Sequence, residues 1–160
     1  MIKRVLALLG VVFTLVPLSA DIGPPKDIPT RARGAGRIVV ARVADVRARF
    51  AANSFGDQLI VSTVVLEVAE ALKGAPDGRL EVEVEGGTVG DITLKVSDLP
   101  SLAPGERAVF FLDAGTGGSL RPHDRGRGIL KLSEEDRVEN SSVTLAELRQ
   151  QVRDALRGGR

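Results

Sequence analysis

The alternation of apolar and polar residues predicts a chain built mainly from β-strands. In the segment 37–50, the alternating apolar face lies at odd-numbered positions as far as Val43 and at even-numbered positions from Val46 onwards. Side chains in a strand point alternately to opposite faces, so this change of parity requires one extra residue. We therefore predict a β-bulge near Ala44–Asp45, which would bend the strand and help a sheet to close.

Further segments carry strand patterns of different kinds. Segment 58–72 has apolar side chains on both faces, which is typical of a central strand. Segments 80–85 and 92–97 each have one apolar face and are joined by a glycine-rich loop, so they predict a β-hairpin. Segment 108–112 is short and fully apolar, and segment 129–132 predicts a marginal last strand.

The end of the chain has the pattern of an amphipathic helix. Thr144 and Glu147 have the spacing of a capping box, and Gly158 follows the last apolar position. One helix after several strands must bury its apolar stripe against the sheet. We predict a mainly β fold with a C-terminal helix, arranged as a small closed or partly open OB-like β-barrel. The helical stripe comprises Leu145, Leu148, Val152 and Leu156.

The first twenty residues have the layout of a secretory signal peptide. Lys3 and Arg4 precede an apolar run over residues 5–16, and small residues lead to Ala20. The apolar run is shorter than the roughly 20 residues that a membrane-spanning helix needs. We predict cleavage near Ala20, a periplasmic or secreted protein, and no transmembrane segment after removal of the signal.

The sequence beyond the signal predicts one domain preceded by a short lead-in. Residues 21–36 are rich in proline and glycine, which predicts an extended, poorly packed segment. Residues 37–157 form the predicted domain. The bias towards alanine, valine, arginine and glycine suggests a bacterial source.

Composition excludes several classes of function. The chain has no cysteine, no tryptophan and no tyrosine, and it has a single histidine. Thiolate metal sites, a cysteine nucleophile and aromatic platforms for nucleic-acid bases are therefore excluded or scarce. Loss of Lys3 and Arg4 would leave 20 basic against 21 acidic residues, and this balance gives no argument for nucleic acid. We predict no cofactor and no metal site.

Asp113 is the one candidate for a catalytic residue. Segment 110–117 runs from an apolar strand into Asp113, Ala114 and Gly115, and it resembles the aspartic-protease signature. That chemistry needs two aspartates sharing a proton, so a single copy would require a homodimer. Ala114 stands where that family has a hydroxyl residue, and no second copy of the motif follows. A dimeric aspartic-type hydrolase using Asp113 is therefore the alternative hypothesis, and a non-enzymatic protein the preferred one.

A basic loop is the candidate binding site. Guanidinium groups match carboxylates and phosphates, so the loop could hold an anion. The pair His123–Asp124 also invites comparison with a catalytic triad, but neighbouring side chains diverge and no serine lies in a nucleophile-elbow motif. The candidate binding residues are Arg121, His123, Arg125 and Arg127.

Three glutamates on one strand face offer a second candidate. Glu81, Glu83 and Glu85 could hold a hard cation such as calcium. Strand spacing keeps their carboxylates apart, and Lys95 on the predicted partner strand would neutralise one of them. We interpret them as the solvated face of a hairpin.

The order of these motifs resembles a known type of domain. Segment 37–43, the strand 60–68, Leu72-Lys73-Gly74, Pro104-Gly105-Glu106 and the strand 109–112 follow one another as in netrin-module and tissue-inhibitor-of-metalloproteinases domains. Exported bacterial domains of unknown function share a similar succession. The resemblance implies an OB-like barrel with a helix. It does not extend to protease inhibition, because those inhibitors reach the protease zinc through a cysteine-anchored N-terminal edge.

We therefore expect an exported, non-enzymatic β-barrel that acts as a binding or interaction module of the bacterial cell envelope. Its expected partner is another envelope or extracellular protein, with no nucleic acid involved. A purely structural role in the envelope fits the same pattern. The ligand and the oligomeric state are left open by the sequence.

Overall fold

The computed structural model of the chain describes residues 28–52 and 56–158. The predicted signal peptide and its cleavage site near Ala20 lie outside the described residues. No helix among the described residues is long and apolar enough to cross a membrane. The elements are α1 (Ile28–Gly34), β1 (Arg37–Ala52), β2 (Gln58–Lys73), β3 (Arg79–Glu85), β4 (Gly87–Val89), β5 (Ile92–Leu94), β6 (Arg107–Ala114), β7 (Leu120–Pro122), β8 (Ile129–Leu132) and α2 (Leu145–Arg157).

Five of the strands are hydrogen-bonded in a ring. The order β1-β2-β3-β7-β6 returns to β1, because the first part of β1 also pairs with β6 from Arg37 to Arg42. Strand β8 pairs with Arg107–Phe110 of β6 on the edge opposite β1, and β4 and β5 form a separate two-stranded hairpin. The prediction of a mainly β fold with a C-terminal helix is confirmed.

The bulge in β1 lies where the sequence predicts it. The register with β2 shifts between Val43 and Asp45, so that Val43 pairs with Leu66 and Asp45 with Val65. The extra residue bends the strand and exchanges its two faces. Because of this bend, the first part of β1 closes the ring on β6 while the second part projects beyond it.

Strand β2 is central, as predicted, and both of its faces are covered. On the outer face, Val65 is fully buried although this side of the sheet faces solvent. Two ion pairs cross β2 from β1 to β3, Arg47 with Glu81 at 3.2 Å and Arg49 with Glu83 at 2.8 Å. The aliphatic stems of such long side chains cover apolar surface while their charged ends stay in water.

The predicted hairpin between segments 80–85 and 92–97 is wrong. Strand β3 pairs with β2 and β7, whereas β5 pairs only with β4. Gly86 and Gly87 have φ angles of +97° and +132°, a backbone conformation that turns the chain out of β3. As a result β5 is peripheral, and Ile92 is 58% exposed.

The predicted extended lead-in is also wrong for residues 28–36. These residues include helix α1, whose Ile28 and Ala32 are buried and which packs against α2. Pro29 lies in the first turn, where a missing backbone N–H costs no helical hydrogen bond. Lys73 of β2 donates from Nζ to the carbonyl oxygens of Ala32 and Arg33, both at 3.0 Å. Residues 21–27 of the lead-in lie outside the described part of the chain.

Helix α2 begins with the predicted capping box. The Thr144 hydroxyl accepts from the backbone N–H of Glu147 at 3.2 Å, and the Glu147 carboxylate accepts from the Thr144 N–H at 2.8 Å. Both bonds satisfy N–H groups that a helix leaves free at its start. Leu145, Leu148 and Val152 of the predicted stripe are buried.

The apolar side chains form two cores, one on each side of the sheet. Phe110 points into the ring, and its neighbour Phe111 points to the helices. The ring core comprises Val39, Ala41, Val43, Val64, Leu66, Leu80, Val82, Val84, Ala108, Phe110, Leu112 and Ile129. The helix-side core comprises Ile28, Ala32, Ala35, Ile38, Val40, Val109, Phe111, Leu130, Leu132, Val138, Leu145, Leu148, Val152 and Ala155.

We expect Leu148→Ala to lower the free energy of unfolding by about 2–5 kcal/mol, because it leaves a cavity in the helix-side core. Gln150→Ala, on the exposed face of the same helix, should change it by less than about 0.5 kcal/mol. Urea denaturation followed by circular dichroism measures both. Equal effects of the two substitutions would contradict docking of α2 on the sheet.

Candidate functional site

Asp113 and His123 form the central polar pair of the region that the sequence analysis singled out. His123 Nδ1 lies 2.8 Å from Asp113 Oδ2, and the backbone N–H of Gly36 donates to Asp113 Oδ1 at 3.1 Å. The side chains are 31% (Asp113) and 23% (His123) exposed. One carboxylate therefore joins β6, the residue after β7, and the segment that leads from α1 into β1.

The pKa of Asp113 lies below its ordinary value. Burial alone would raise the pKa of this carboxyl. The hydrogen bonds from His123 and the Gly36 N–H, with the charges of His123 and Arg121, outweigh burial and lower it. Hydrogen bonds to an ionised carboxylate favour that form, so the folded chain stabilises a negative charge here.

His123 pairs with Asp113 and not with its sequence neighbour Asp124, in agreement with the expectation that neighbouring side chains diverge. The Asp124 carboxylate lies 3.6 Å from Arg127. The partner of His123 is ten positions earlier, because β6 and β7 pair antiparallel with Asp113 opposite Arg121. A prediction of β7 as a strand that pairs with β6 would have brought Asp113 and His123 together, because residues on paired strands lie close to one another.

His123 connects β6 with the end of α1. A methyl group on Gly34 would lie 2.9 Å from Cε1 and Nε2 of His123, so the ring packs directly on the end of α1. Among the described residues, Asp113 is the one side chain that hydrogen-bonds this ring. We call Gly36, Asp113 and His123 the clasp.

The basic loop also holds α1 against the sheet. Arg31 of α1 donates from Nη1 to the Arg127 carbonyl oxygen at 2.5 Å. A side chain on Gly126 would collide with the backbone carbonyl of Asp98, so only glycine fits this close approach. The loop therefore binds both α1 and the segment that follows β5.

The four candidate anion-binding residues do not converge on one open site. Arg125 donates to Asp98 at 2.7 Å and to Glu85 at 3.1 Å, and the hydrogen bond to Asp98 raises the pKa of Arg125. His123 is held by Asp113, and Arg127 points to Asp124. A depression of about 310 Å³ beside Arg125 is lined by more carboxylates than arginines. Its charged lining residues are Glu83, Glu85, Asp113, Asp124, Arg121 and Arg125.

Glu81, Glu83 and Glu85 are each engaged by a different arginine rather than by Lys95. Their partners are Arg47, Arg49 and Arg125 respectively. The described residues contain no group of three or more acidic or histidine side chains placed to hold a metal ion. The three glutamates lie on the solvated face of β3, but this strand is flanked by β2 and β7 and does not form a hairpin with segment 92–97.

A groove lined in large part by apolar residues lies between β1, β3 and the β4–β5 hairpin. Its volume is about 630 Å³, and segment 96–102 forms its opposite wall. Gly87 allows the hairpin to approach, since a methyl group there would lie 3.0 Å from the Ala48 side chain and 2.4 Å from Ser62 Oγ. Its apolar lining consists of Val46, Ala48, Val64, Val84, Leu94, Val96, Leu99, Pro100 and Leu102.

Two charged residues line this groove, and only the positive one lacks an ion-pair partner among the described residues. Glu85 and Lys95 are the charged residues in the lining, and Glu85 is paired with Arg125. Among the described residues, Lys95 has no carboxylate within ion-pair distance. Serine and threonine side chains supply the remaining polar groups. The groove therefore suits an aliphatic group that carries a negative charge.

Comparisons with known proteins do not assign a family. No protein-family model matches the chain, and a search of curated proteins finds no significant match. The resemblance to netrin-module and metalloproteinase-inhibitor domains stays a prediction.

The clasp predicts a particular dependence of stability on pH. Because the pKa of Asp113 is lowered by folding, its stabilisation is present above the ordinary aspartate pKa of about 3.9. It is lost as the pH falls through the lower, folded value. At neutral pH, Asp113→Asn should reduce the free energy of unfolding by about 1–2 kcal/mol, as expected for charge-assisted hydrogen bonds at a partly exposed site.

Urea denaturation of both proteins at a series of pH values measures this difference. It should shrink towards zero as the solution is acidified below the folded pKa of Asp113. A difference that is constant or grows in acid would contradict the proposed role of the charge.

Proposed function

We propose that the chain is an exported, non-enzymatic binding module of the bacterial cell envelope, built as a small OB-like β-barrel, and that its ligand occupies the groove. The periplasm or the cell exterior is its proposed location, on the basis of residues 1–20. The ring of five hydrogen-bonded strands supports the barrel. Barrels of this type bind ligands on an open face of the sheet.

The groove is the observation that carries this proposal. Its volume of about 630 Å³ is within the range of about 300–1,000 Å³ found for ligand sites. Nine of its eighteen lining residues are apolar and seven are polar or charged, a mixture that suits an apolar ligand oriented by polar contacts. By contrast, His123, Arg125 and Arg127 around the clasp each pair with a carboxylate of this chain.

The surroundings of Asp113 favour binding over catalysis. Aspartic hydrolases hold two carboxylates together so that they share one proton. Here the two oxygens of Asp113 accept from His123 and from the Gly36 N–H. The dimeric hydrolase therefore remains the second hypothesis.

The groove proposal predicts that an anionic, apolar probe binds there. Anilinonaphthalene sulfonate should bind saturably with enhanced fluorescence, with its rings in the groove and its sulfonate near Lys95. Leu94→Glu places a carboxylate in the lining and should weaken binding at least about tenfold. Ile92→Glu makes the same kind of change two positions away, outside the groove, and should leave affinity unchanged.

Fluorescence titration of the probe into the native protein and both variants measures these affinities. Circular dichroism checks that each protein is folded. Absence of saturable binding to the native protein would overturn the groove as the site. Equal affinity in all three proteins would do the same.

The non-enzymatic assignment predicts no turnover of general peptidase, esterase and phosphatase substrates between acid and neutral pH. Asp113→Asn should behave like the native protein in every assay. Proteolysis at acid pH that disappears in Asp113→Asn would establish the hydrolase hypothesis instead. Sedimentation of the native protein at the same pH would then show whether the active form is the required dimer.

A further inference from the structure

The second half of β1 has an open edge. Pairing of β1 with β2 continues to Ala52, whereas pairing with β6 ends at Arg42. One more pair of hydrogen bonds follows, between Val43 and the turn at Gly105 and Glu106. Beyond that point, within the part of the chain that the structure describes, no strand pairs with the other edge of β1.

The backbone groups that face this edge belong to even-numbered residues. The Ile60 carbonyl accepts from the Gly86 N–H, so even-numbered residues of β2 face β3 and odd-numbered ones face β1. Odd-numbered residues of β1 lie opposite the odd-numbered residues of β2 in this region. The N–H and C=O groups of Ala48 and Phe50 therefore point outwards, while the Val46 N–H is taken by the Asp45 carboxylate at 2.9 Å.

The open edge and the groove are parts of one surface. Val46 and Ala48 line the groove and also carry outward-facing backbone groups. Phe50 follows on the same face of β1 and is 45% exposed. A strand added to this edge would place alternate side chains over the groove and against Phe50. Peptide recognition by strand addition uses this combination of main-chain hydrogen bonds and pockets for alternate side chains.

The charges on the outer face of the open edge are already balanced. Arg47 and Arg49 pair there with Glu81 and Glu83, and Asp45 lies 3.1 Å from Arg47. The class of ligand therefore follows from the backbone and the groove. An added strand supplies partners for the outward-facing N–H and C=O groups of Ala48 and Phe50, and its inner face suits small apolar side chains.

We propose that the groove ligand is an extended peptide segment of another protein, which adds as a strand to the open edge of β1. Its small aliphatic side chains occupy the groove, and its polar side chains alternate with them on the solvent-facing side. This inference rests on the proposed function and names the ligand class of that site. A lipid-like amphiphile would fill the groove but would leave the N–H and C=O groups of Ala48 and Phe50 without partners from the ligand.

The test uses a labelled, acetylated peptide in which valine alternates with serine and threonine. Two isomers carry equal numbers of N-methyl groups, one on the valine amides and the other on the intervening amides. In an added strand, alternate amides face the partner strand. One isomer should therefore lose at least about tenfold in affinity, while the other binds like the parent peptide. Fluorescence anisotropy with the full-length folded protein measures all three.

Leu94→Glu should weaken the parent peptide, and Ile92→Glu should not, because only the first alters the groove. Equal affinity of the two N-methyl isomers would overturn strand addition. Binding of anilinonaphthalene sulfonate or dodecanoate without binding of the peptide would overturn the peptide assignment and leave the proposed binding module intact. Failure of all these probes would instead overturn the groove itself.

Discussion

Strand β1 forms hydrogen bonds along both edges as far as Val43 and along one edge beyond Asp45. The change occurs at the bulge, where an extra residue bends the strand and exchanges its faces. The first half thereby closes the ring and separates the two apolar cores. The second half of β1 extends beyond the ring beside the β4–β5 hairpin. The groove lies between this half of β1 and the hairpin. Closure of the fold and the candidate site therefore have a common origin.

Patterns in short stretches of sequence predicted the elements that depend mainly on those same residues. The parity change located the bulge, two apolar faces identified β2 as central, and the spacing of Thr144 and Glu147 located the start of α2. Pairing partners were less predictable, because the alternation in segment 92–97 does not depend on which strand lies beside it. Helix α1 was missed since proline and glycine suggest irregular structure, and its burial comes from contacts with α2 and Lys73 that are distant in sequence.

The candidate site was predictable only in part. Asp113 and His123 were both singled out, but their contact depends on the β6–β7 pairing, which three residues of β7 barely signal. The arginines of the basic loop gave no indication that Asp98 and Glu85 would neutralise Arg125. The groove was not predicted, because its lining comes from four separate stretches of chain. Gly86-Gly87 was the nearest signal, since adjacent glycines often mark close backbone approach.

Hydrogen exchange of the backbone amides, followed by NMR on the free protein, tests the role of β1 most directly. Residues bonded on both edges should show continuous protection from Val39 to Val43. Beyond the bulge, protection should alternate, with slow exchange at Arg47 and Arg49 and fast exchange at Ala48 and Phe50. Slow exchange at all four of these amides would show that the edge is already occupied, and would contradict both the open edge and the site built on it.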